Sequence, residues 1–281
     1  LGDLVIDSDD APAAAEVAVA FEAADGTVTE LGAVTVPAYT TSTASDHLHT
    51  LTDSGARVVL FGLGDAELQA AAAECGGQAV DGDVTRADDV AKAVAACGAW
   101  LDIVVNAAGL IVPDQPASVS DEVWARTLDV NLTGTMRVCR ASLPLLSQRG
   151  GAIVNIASVA AFNASPDSAS YAASKAAVVA YTRSLAYAHG ADGIRANAVA
   201  PGWVRTPMSA YEMQLLADQN GTTAETEFRS VERRIALGRM AEPAEIAACC
   251  LFLASDEASF VTGAVLVADG GGRSPTQNRA V

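Results

Sequence analysis

The sequence predicts an α/β fold, a single domain in which a doubly wound parallel sheet has helices on both faces. From Arg57 onward, short apolar runs without polar alternation are separated by longer segments of helical periodicity. Hydrophobic residues make up 51% of the chain, enough for a sizeable core, but aromatic residues only 5%. Small side chains must therefore pack the helices closely on the sheet. The length of 281 residues suits one large domain.

The predicted elements alternate in order along the chain. The apolar runs that predict strands are 56–62, 78–84, 101–109, 152–158, 194–202 and 264–272. The segments with helical patterns are 65–77, 85–98, 120–151, 168–190 and 243–255. Thr85 is the expected N-cap of the second helix, with Asp88 and Asp89 in its first turn.

Polar residues at strand ends point to one cleft. Parallel strands joined by right-handed crossovers end at the same edge of a sheet, where ligands bind. We therefore expect Asn106, Ser158, Pro201 and Gly202 to line that cleft.

Two stretches depart from the alternation. Residues 1–31 are acidic and alanine-rich, with a possible strand at 4–6 and a possible helix from about 13 to 24. Residues 207–237 are polar and irregular, which suits a mobile helical lid. The expected organisation is an N-terminal extension (1–31), one domain (32–272) and a C-terminal tail (273–281).

Charge and cysteine usage exclude several functions. The formal net charge of −17 disfavours nucleic acid and anionic membrane surfaces as partners. The five cysteines lack the spacing of a zinc site, and Cys139, Cys249 and Cys250 lie in apolar helical patterns typical of buried thiols. We expect no bound metal. No signal peptide or membrane-spanning run is evident, so a cytoplasmic location is expected.

Tyr171 and Lys175, in "YAASK", are the strongest candidates for chemistry. Their separation of four places both side chains on one helix face. An ammonium group near a phenol is expected to lower the phenol pKa from about 10 towards neutrality, where it can act as a general acid or base. Ser158 ends a predicted strand thirteen residues earlier and could bond a substrate oxygen, although a cap role is also possible. Asn131 interrupts an apolar helical pattern.

These residues lie in motifs that resemble the short-chain dehydrogenase/reductase family, closest to its 3-oxoacyl reductase-like branch. The matching segments are "NAAG", "DVNLTGT", "IVNIAS", "YAASK", "IRANAVAPGWVRTPM" and "LGRMAEPAEIAACCLFLASDEASFVTGAVLVADGG". They run in the family's order from Gly55 to about Gly271. The resemblance implies a Rossmann-like fold.

The resemblance also implies an Asn-Ser-Tyr-Lys tetrad at Asn131, Ser158, Tyr171 and Lys175. In this interpretation Tyr171 exchanges a proton with the substrate oxygen, and Ser158 orients that oxygen. Lys175 lowers the Tyr171 pKa and, with Tyr171, holds the nicotinamide ribose. Asn131 supports a proton-relaying water.

The same resemblance assigns further cofactor contacts. Asn106 and Gly109 would flank the adenosine ribose, and Asp83 and Val84 the adenine. The residues expected at the nicotinamide end are Pro201, Gly202, Val204 and Thr206.

The family's first cofactor loop, T-G-x-x-x-G-x-G, is degenerate here. It would follow an apolar run at Ala33–Val36, and its three glycines are replaced by Ala38, Ser42 and Ala44. A Cβ at such positions costs backbone freedom or close approach to the pyrophosphate. The enoyl reductases, a branch of the family, have S-x-A here, so Ser42 and Ala44 could still contact the cofactor.

The degenerate loop leaves more than one interpretation of the cofactor and of the function. After the second strand the family usually has an acidic residue, or a basic residue for NADP; here this position is Gly62. Because residues 31–54 also contain no Lys or Arg to neutralise a 2′-phosphate, NAD is expected over NADP. The first alternative is an oxidoreductase acting on a secondary alcohol or ketone, including a 3-hydroxyacyl or 3-oxoacyl thioester. The second is a cofactor-poor, non-catalytic subunit paired with an active relative, and the third a metabolite-binding regulator. An oligomer, homomeric or heteromeric, is expected from the resemblance.

Overall fold

The computed structural model describes residues 18–22, 57–64, 66–163 and 166–272. Within these ranges the strands are β1 (Ala18–Glu22), β2 (Arg57–Gly62), β3 (Gln78–Asp81), β4 (Ile103–Asn106), β5 (Gly151–Ile156), β6 (Ile194–Pro201) and β7 (Val265–Ala268). The α-helices are α1 (Ala66–Glu74), α2 (Ala87–Ala96), α3 (Asp121–Leu128), α4 (Thr135–Leu146), α5 (Ala169–His189), α6 (Pro207–Asn220), α7 (Ala224–Glu232) and α8 (Pro243–Ala254).

The strands form one sheet in the order β3-β2-β1-β4-β5-β6-β7. The pairs β2–β3, β4–β5, β5–β6 and β6–β7 are parallel. Because the helices cover both faces, the α/β class and the doubly wound sheet predicted from the sequence are confirmed.

Strand β1 is the exception to the parallel arrangement. It pairs antiparallel with both neighbours, with Ala18 opposite Phe61 on one side and opposite Asn106 on the other. The predicted helix at about 13–24 is therefore wrong for residues 18–22, because pairing with two strands outweighs the helical preference of an alanine-rich segment. The sheet also includes residues assigned above to the extension. The predicted strands at 4–6 and Ala33–Val36, and the tail 273–281, lie outside the described residues.

Hydrophobic cores lie on both faces of the sheet. On one face, strand residues such as Leu60 and Val105 pack against Leu68 of α1 and Cys250 of α8. On the other face, α2, α4 and α5 cover a second set of strand side chains, for example Ile153. The strands are consequently buried on both sides, which explains their uninterrupted apolar character.

The predicted long helix at 120–151 is a continuous helical segment with a π-helical turn. Residues 129–134 ("DVNLTG") join α3 to α4 with π-type hydrogen bonding. Ser120 caps its start by accepting a hydrogen bond from Val123 N. The N-cap of α2 is Arg86, without a side-chain bond, so the predicted Thr85 cap is wrong. Instead Thr85 N donates to Asp83 Oδ1 at 2.7 Å.

Two helices, α6 and α7, form the segment expected to be a lid. A capping box between Thr206 and Ser209 begins α6 directly after the end of β6. The lid has a small core of its own, formed by Met213, Val231 and Met240. Its helical character agrees with the sequence prediction, and this core explains how a polar segment remains ordered.

The expectation of buried thiols holds for Cys139 and Cys250 but not for Cys249, which is partly exposed. All five are free, and Cys139 and Cys250 are fully buried. Burial raises the pKa of Cys139 to about 12. Among the described residues no acidic, histidine or cysteine cluster could hold a metal ion. Across that same part of the chain, none of the helices combines the length and apolarity that a membrane crossing requires.

Candidate active site

The four tetrad residues meet at the edge where the parallel strands end. Ser158 follows β5, Asn131 lies in the π-helical turn, and Tyr171 and Lys175 lie on the first turns of α5. Ser158 Oγ accepts a hydrogen bond from Ala160 N at 3.1 Å, and Ser158 also lowers the pKa of Tyr171. The sequence prediction that these side chains share one site therefore agrees with the geometry.

Asn131 is fully buried, and its amide makes three hydrogen bonds to protein groups. Its Oδ1 accepts from Leu110 N at 2.8 Å, and its Nδ2 donates to Leu110 O at 3.0 Å and to Ser174 Oγ at 2.9 Å. The π-helical turn exposes the side chain to these partners, a common use of such turns at functional sites. Asn131 thus ties the loop after β4 to helix α5 and positions other residues.

Helix α5, which presents Tyr171, is anchored by a residue that the sequence did not reveal. Asp114 is buried, and both of its carboxylate oxygens accept from Ser170 N, at 3.1 and 3.3 Å. Ser174 Oγ donates to Tyr171 O at 2.7 Å. Asp114 comes from a loop 56 residues earlier, so no local pattern could have identified it.

Lys175 is almost completely buried at the base of the site. Its Nζ donates to Ile156 O at 2.9 Å and lies 5.7 Å from the centre of the Tyr171 ring. Gly109 leaves room beside it, since a Cβ there would lie 3.1 Å from Nζ and 3.4 Å from Asn131 Oδ1. We call the space beside the ammonium group, which a Cβ at residue 109 would fill, the cradle.

The pKa of Tyr171 differs from the sequence expectation. Burial raises this pKa to about 12; the hydrogen bond from Ser158 lowers it and the negative charge of Glu212 raises it. The expected shift towards neutrality is wrong for the chain without ligands, because the cost of desolvating a phenolate exceeds the stabilising contacts. At neutral pH Tyr171 is a phenol and a proton donor.

Glu212 is a second group whose place in the site the sequence did not reveal. It lies on lid helix α6, is half-buried, and burial alone raises its pKa to about 7. Its negative charge contributes to the raised pKa of Tyr171. In the sequence it was one of several acidic lid residues without a distinguishing signal.

Asn106 does not present its side chain to the cleft, contrary to the prediction. Its Nδ2 donates to Asn155 Oδ1 at 2.8 Å and to Cys139 Sγ at 3.2 Å, within the core. Asn155 in turn donates to Thr182 Oγ1 at 2.9 Å. This buried network joins β4, β5 and α5 below the site, so Asn106 has only its backbone at the edge.

The remaining predicted contacts follow the same edge in two groups. At the adenosine end, Val84 is buried, whereas Asp83 is half-buried. At the nicotinamide end the predicted residues are Pro201, Gly202, Val204 and Thr206, of which Thr206 also caps α6. Gly202 allows a close approach of two strand ends, since a Cβ there would lie 2.8 Å from Asp269 Cβ.

These positions fit a dinucleotide at both ends of the edge. The cradle beside Lys175 would fit a ribose hydroxyl, and the half-buried Asp83 could accept a hydrogen bond at the adenosine end. The degenerate loop with Ala38, Ser42 and Ala44 lies outside the described residues. Strand β1 ends at the opposite edge of the sheet, because it runs antiparallel to β2 and β4.

Comparison with known proteins places this geometry in a family. The family model described as enoyl-(acyl carrier protein) reductase matches residues 38–272. The chain belongs to the short-chain dehydrogenase/reductase family. The family consists of NAD(P)-dependent oxidoreductases that interconvert alcohols and ketones, and its members typically oligomerise.

Similar proteins agree with this membership. The chain is 39% identical to cis-4-hydroxycyclohexanecarboxylate dehydrogenase of Sinomonas cyclohexanicum over 231 residues, which cover 79% of this chain and 88% of that protein. It is 40% identical to the 3-oxoacyl-[acyl-carrier-protein] reductase FabG of Thermotoga maritima over 172 residues, 61% of this chain and 65% of the relative. The structure of a short chain dehydrogenase family protein from Francisella tularensis superimposes with a TM-score of 0.65 and 28% identity, covering 70% of this chain and 81% of the other.

Proposed function

We propose that this chain is an NAD-dependent oxidoreductase that interconverts a small secondary alcohol and its ketone. The observation that supports this most strongly is the arrangement of Tyr171, Ser158 and Lys175 around the cradle at the strand ends. Ser158 is close enough to Tyr171 to lower its pKa, so a carbonyl oxygen could contact both groups together. A bound nicotinamide supplies the hydride acceptor for the alcohol, or the hydride donor for the ketone.

Tyr171 is the proposed proton donor and acceptor. In ketone reduction its phenol gives a proton to the substrate oxygen as the carbonyl carbon gains a hydride; in alcohol oxidation both transfers reverse. Because the pKa of Tyr171 is about 12, the phenol form dominates at neutral pH, which favours reduction. Ser158 would hold the substrate oxygen beside the phenol.

Lys175 and Asn131 have supporting roles in this proposal. Lys175, held by Ile156 O, would donate to the ribose hydroxyls of the dinucleotide. Asn131 would position the loop containing Leu110 and helix α5, since all its described side-chain bonds are to protein groups.

A preference for NAD over NADP is supported by the charge around the end of β2. Gly62 offers no cation there, and Asp81 stands opposite Gly62 on β3. Asp81 Oδ1 accepts from Gly64 N at 2.7 Å, which holds this carboxylate beside the end of β2. A 2′-phosphate would meet a fixed negative charge, whereas a ribose hydroxyl could donate to it.

A 3-hydroxyacyl or 3-oxoacyl thioester is the second candidate substrate. The name of the Thermotoga relative favours it, as do Arg233 and Arg234, which are exposed at the end of α7 and could contact a phosphate of the carrier arm. Their alternative role is that of ordinary solvated helix charges, so we place a small alcohol first.

An oligomer is supported by exposed aromatic side chains. Phe252 and Phe260 are exposed on α8 and on the loop before β7, and Tyr187 is exposed on α5. These side chains lie on the elements through which members of this family usually assemble, and through which we expect this chain to assemble.

The alternative function, a cofactor-poor subunit beside an active relative, is favoured by β1. The family's cofactor loop follows its first strand, but β1 ends at the edge opposite the tetrad. If no other segment supplies a pyrophosphate loop at the tetrad edge, the chain would not bind the cofactor alone.

Alcohol oxidation with NAD⁺ by the Tyr171→Phe variant tests the main proposal. We expect the wild-type chain to oxidise secondary alcohols and Tyr171→Phe to lose at least about 10³-fold in kcat, because the proton acceptor is removed. Tyr187→Phe is the matched control, since Tyr187 lies on the same helix but is exposed to solvent. Equal activity of Tyr171→Phe and wild type would overturn the proposal.

A further inference from the structure

Helix α5 begins without a cap from its own N-cap residue. Helices α3, α6 and α7 each start at a serine or threonine whose side chain accepts from a backbone amide three residues on. Ser168, the N-cap of α5, makes no such bond. Its backbone ψ is 47°, whereas the other three N-caps have ψ between 152° and 164°, the extended conformation from which a side chain reaches back to the helix. The first turn of α5 therefore needs a partner from elsewhere in the chain.

Asp114 supplies that partner from the loop after β4. The residue is buried, and both of its carboxylate oxygens accept from Ser170 N, at 3.1 and 3.3 Å. Its own N–H donates to Asp167 O at 3.2 Å, and Asp114 pairs with Ser168 in a parallel β-bridge. The loop is thus fixed against the segment that leads into α5, and the carboxylate takes the place of a local N-cap. A negative charge also suits this end of a helix, because the helix dipole is positive there.

The amide that Asp114 holds belongs to the residue directly before Tyr171. Ser170 is fully buried, and its hydroxyl has no hydrogen-bond partner within the described ranges, so the contact is to the backbone. Ser170 and Tyr171 share a planar peptide unit, and a shift of the first therefore moves the second. The same loop is tied to Asn131 through Leu110, whose N–H and C=O both bond the Asn131 amide. One loop thus fixes both the tyrosine and the residue that supports it.

We propose that Asp114 is a positioning residue for the reaction, because it fixes the first turn of α5 so that the Tyr171 hydroxyl stays within reach of the substrate oxygen. This inference rests on the proposed oxidoreductase function and goes beyond it, since Asp114 acts through Tyr171 and not on substrate or cofactor. A displacement of about 1 Å at a reacting group costs about 100-fold in rate. Loss of the carboxylate should therefore lower kcat far more than it changes the KM for NAD⁺.

Oxidation of cyclohexanol with NAD⁺ by Asp114→Ala, Asp114→Asn and Ser168→Ala tests this role. We expect Asp114→Ala to lower kcat by about 100-fold, with a KM for NAD⁺ within about 3-fold of wild type. Asp114→Asn keeps one oxygen as an acceptor for Ser170 N and should recover about 10-fold of that loss. Ser168→Ala is the matched control, because it removes the hydroxyl at the formal N-cap, which makes no cap bond, and its kcat should stay within about 2-fold of wild type.

A kcat for Asp114→Ala within about 3-fold of wild type, or a loss that Asp114→Asn does not recover, would overturn the inference and leave the proposed oxidoreductase intact. Thermal melting checks that the variants are folded. If Asp114→Ala does not fold, Asp114→Glu decides, since it keeps the charge but moves the carboxylate by one methylene. A fall in kcat of about 10-fold supports the inference, and an unchanged kcat overturns it.

A measurement without turnover separates this inference from the proposed function. If wild type oxidises no secondary alcohol, the proposed function fails, and hydrogen exchange of the Ser170 and Tyr171 amides then tests Asp114 by itself. Exchange at least about 10-fold faster in Asp114→Asn than in Ser168→Ala would show that the carboxylate holds the first turn of α5. Equal exchange in the two variants would overturn the inference.

Discussion

The catalytic and adenosine halves of the strand edge hold their side chains in different ways. Around Tyr171, the supporting residues Asn131 and Lys175 are buried, and their hydrogen bonds run to backbone and side-chain groups of other elements. At the ends of β2 and β3, Asp81 and Asp83 are exposed or half-buried and accept bonds from nearby backbone amides. The proposed catalytic half is thus held by buried contacts between elements, whereas the proposed adenosine half is held by local bonds near the surface.

Among the residues that support Tyr171, removing the buried ammonium group of Lys175 should have the largest effect. We expect Lys175→Met to lower kcat/KM for alcohol oxidation by about 100-fold or more, because the cradle loses its donor to the ribose and the site its positive charge. Steady-state kinetics measure this, with Arg183→Met as a control, since Arg183 is a cation exposed on the same helix, α5. Activity of Lys175→Met within a few-fold of wild type would show that the catalytic half does not depend on this group.

Removing the Asn131 amide tests the preorganisation of the catalytic half. Asn131→Ala leaves Leu110 N and Leu110 O without their side-chain partner and removes the donor to Ser174 Oγ, so we expect the free energy of unfolding to fall by about 2–4 kcal/mol. Urea denaturation measures the change, and Asn163→Ala, at an exposed position, serves as the control. A loss below about 1 kcal/mol would contradict the view that this amide is a structural anchor.

A substitution in the adenosine half should act on affinity alone. Asp83→Ala is expected to raise KM for NAD⁺ by about 3- to 10-fold with little change in kcat, because it removes binding shared by the ground and transition states. Asp88→Ala, exposed on α2, is the control. An equal fall in kcat would mean that the two halves are coupled during the reaction.

Neutralising Glu212 should have the smallest effect on activity, a shift in the pH profile of alcohol oxidation. The Glu212 charge raises the Tyr171 pKa, so Glu212→Gln should shift the pH profile of alcohol oxidation to lower pH wherever the wild-type carboxyl is ionised, above about pH 7. The pH–rate profiles of both proteins measure it. A shift to higher pH would contradict the assigned interaction.

Stability gives a second measurement on Glu212. The folded-state pKa, about 7, lies above the ordinary value of 4.5, so the folded chain binds more protons between these values and its stability falls as the pH rises through them. Glu212→Gln should gain on the order of 1 kcal/mol relative to wild type at about pH 8, and nothing below about pH 4. Thermal melts at both pH values measure this, and an equal gain at both would contradict it.

The pattern of apolar and polar residues along the sequence predicted the strands and the relative placement of side chains on one helix. Six strands were evident as apolar runs, and Tyr171 and Lys175 were placed on one helix face by their spacing alone. Strand-end position also predicted Ser158. These predictions succeeded because helix periodicity and the shared edge of a parallel sheet are independent of distant contacts.

Features set by distant contacts were missed. Strand β1 depends on pairing with β2 and β4, and the orientation of Asn106 depends on Asn155 and Cys139. The pKa of Tyr171 was predicted from the neighbouring Lys175 alone, yet burial by the folded chain dominates it. Tertiary packing decides each of these, and a single sequence does not specify it.

Titration of the wild-type chain with NADH and NADPH, followed by fluorescence or calorimetry, tests the central claim most directly. The proposed function predicts saturable binding of NADH at micromolar concentration, with NADPH weaker because of the negative charge at Asp81. Absence of binding up to millimolar cofactor in a folded oligomer would contradict the claim. That result would indicate a subunit that works only beside an active relative.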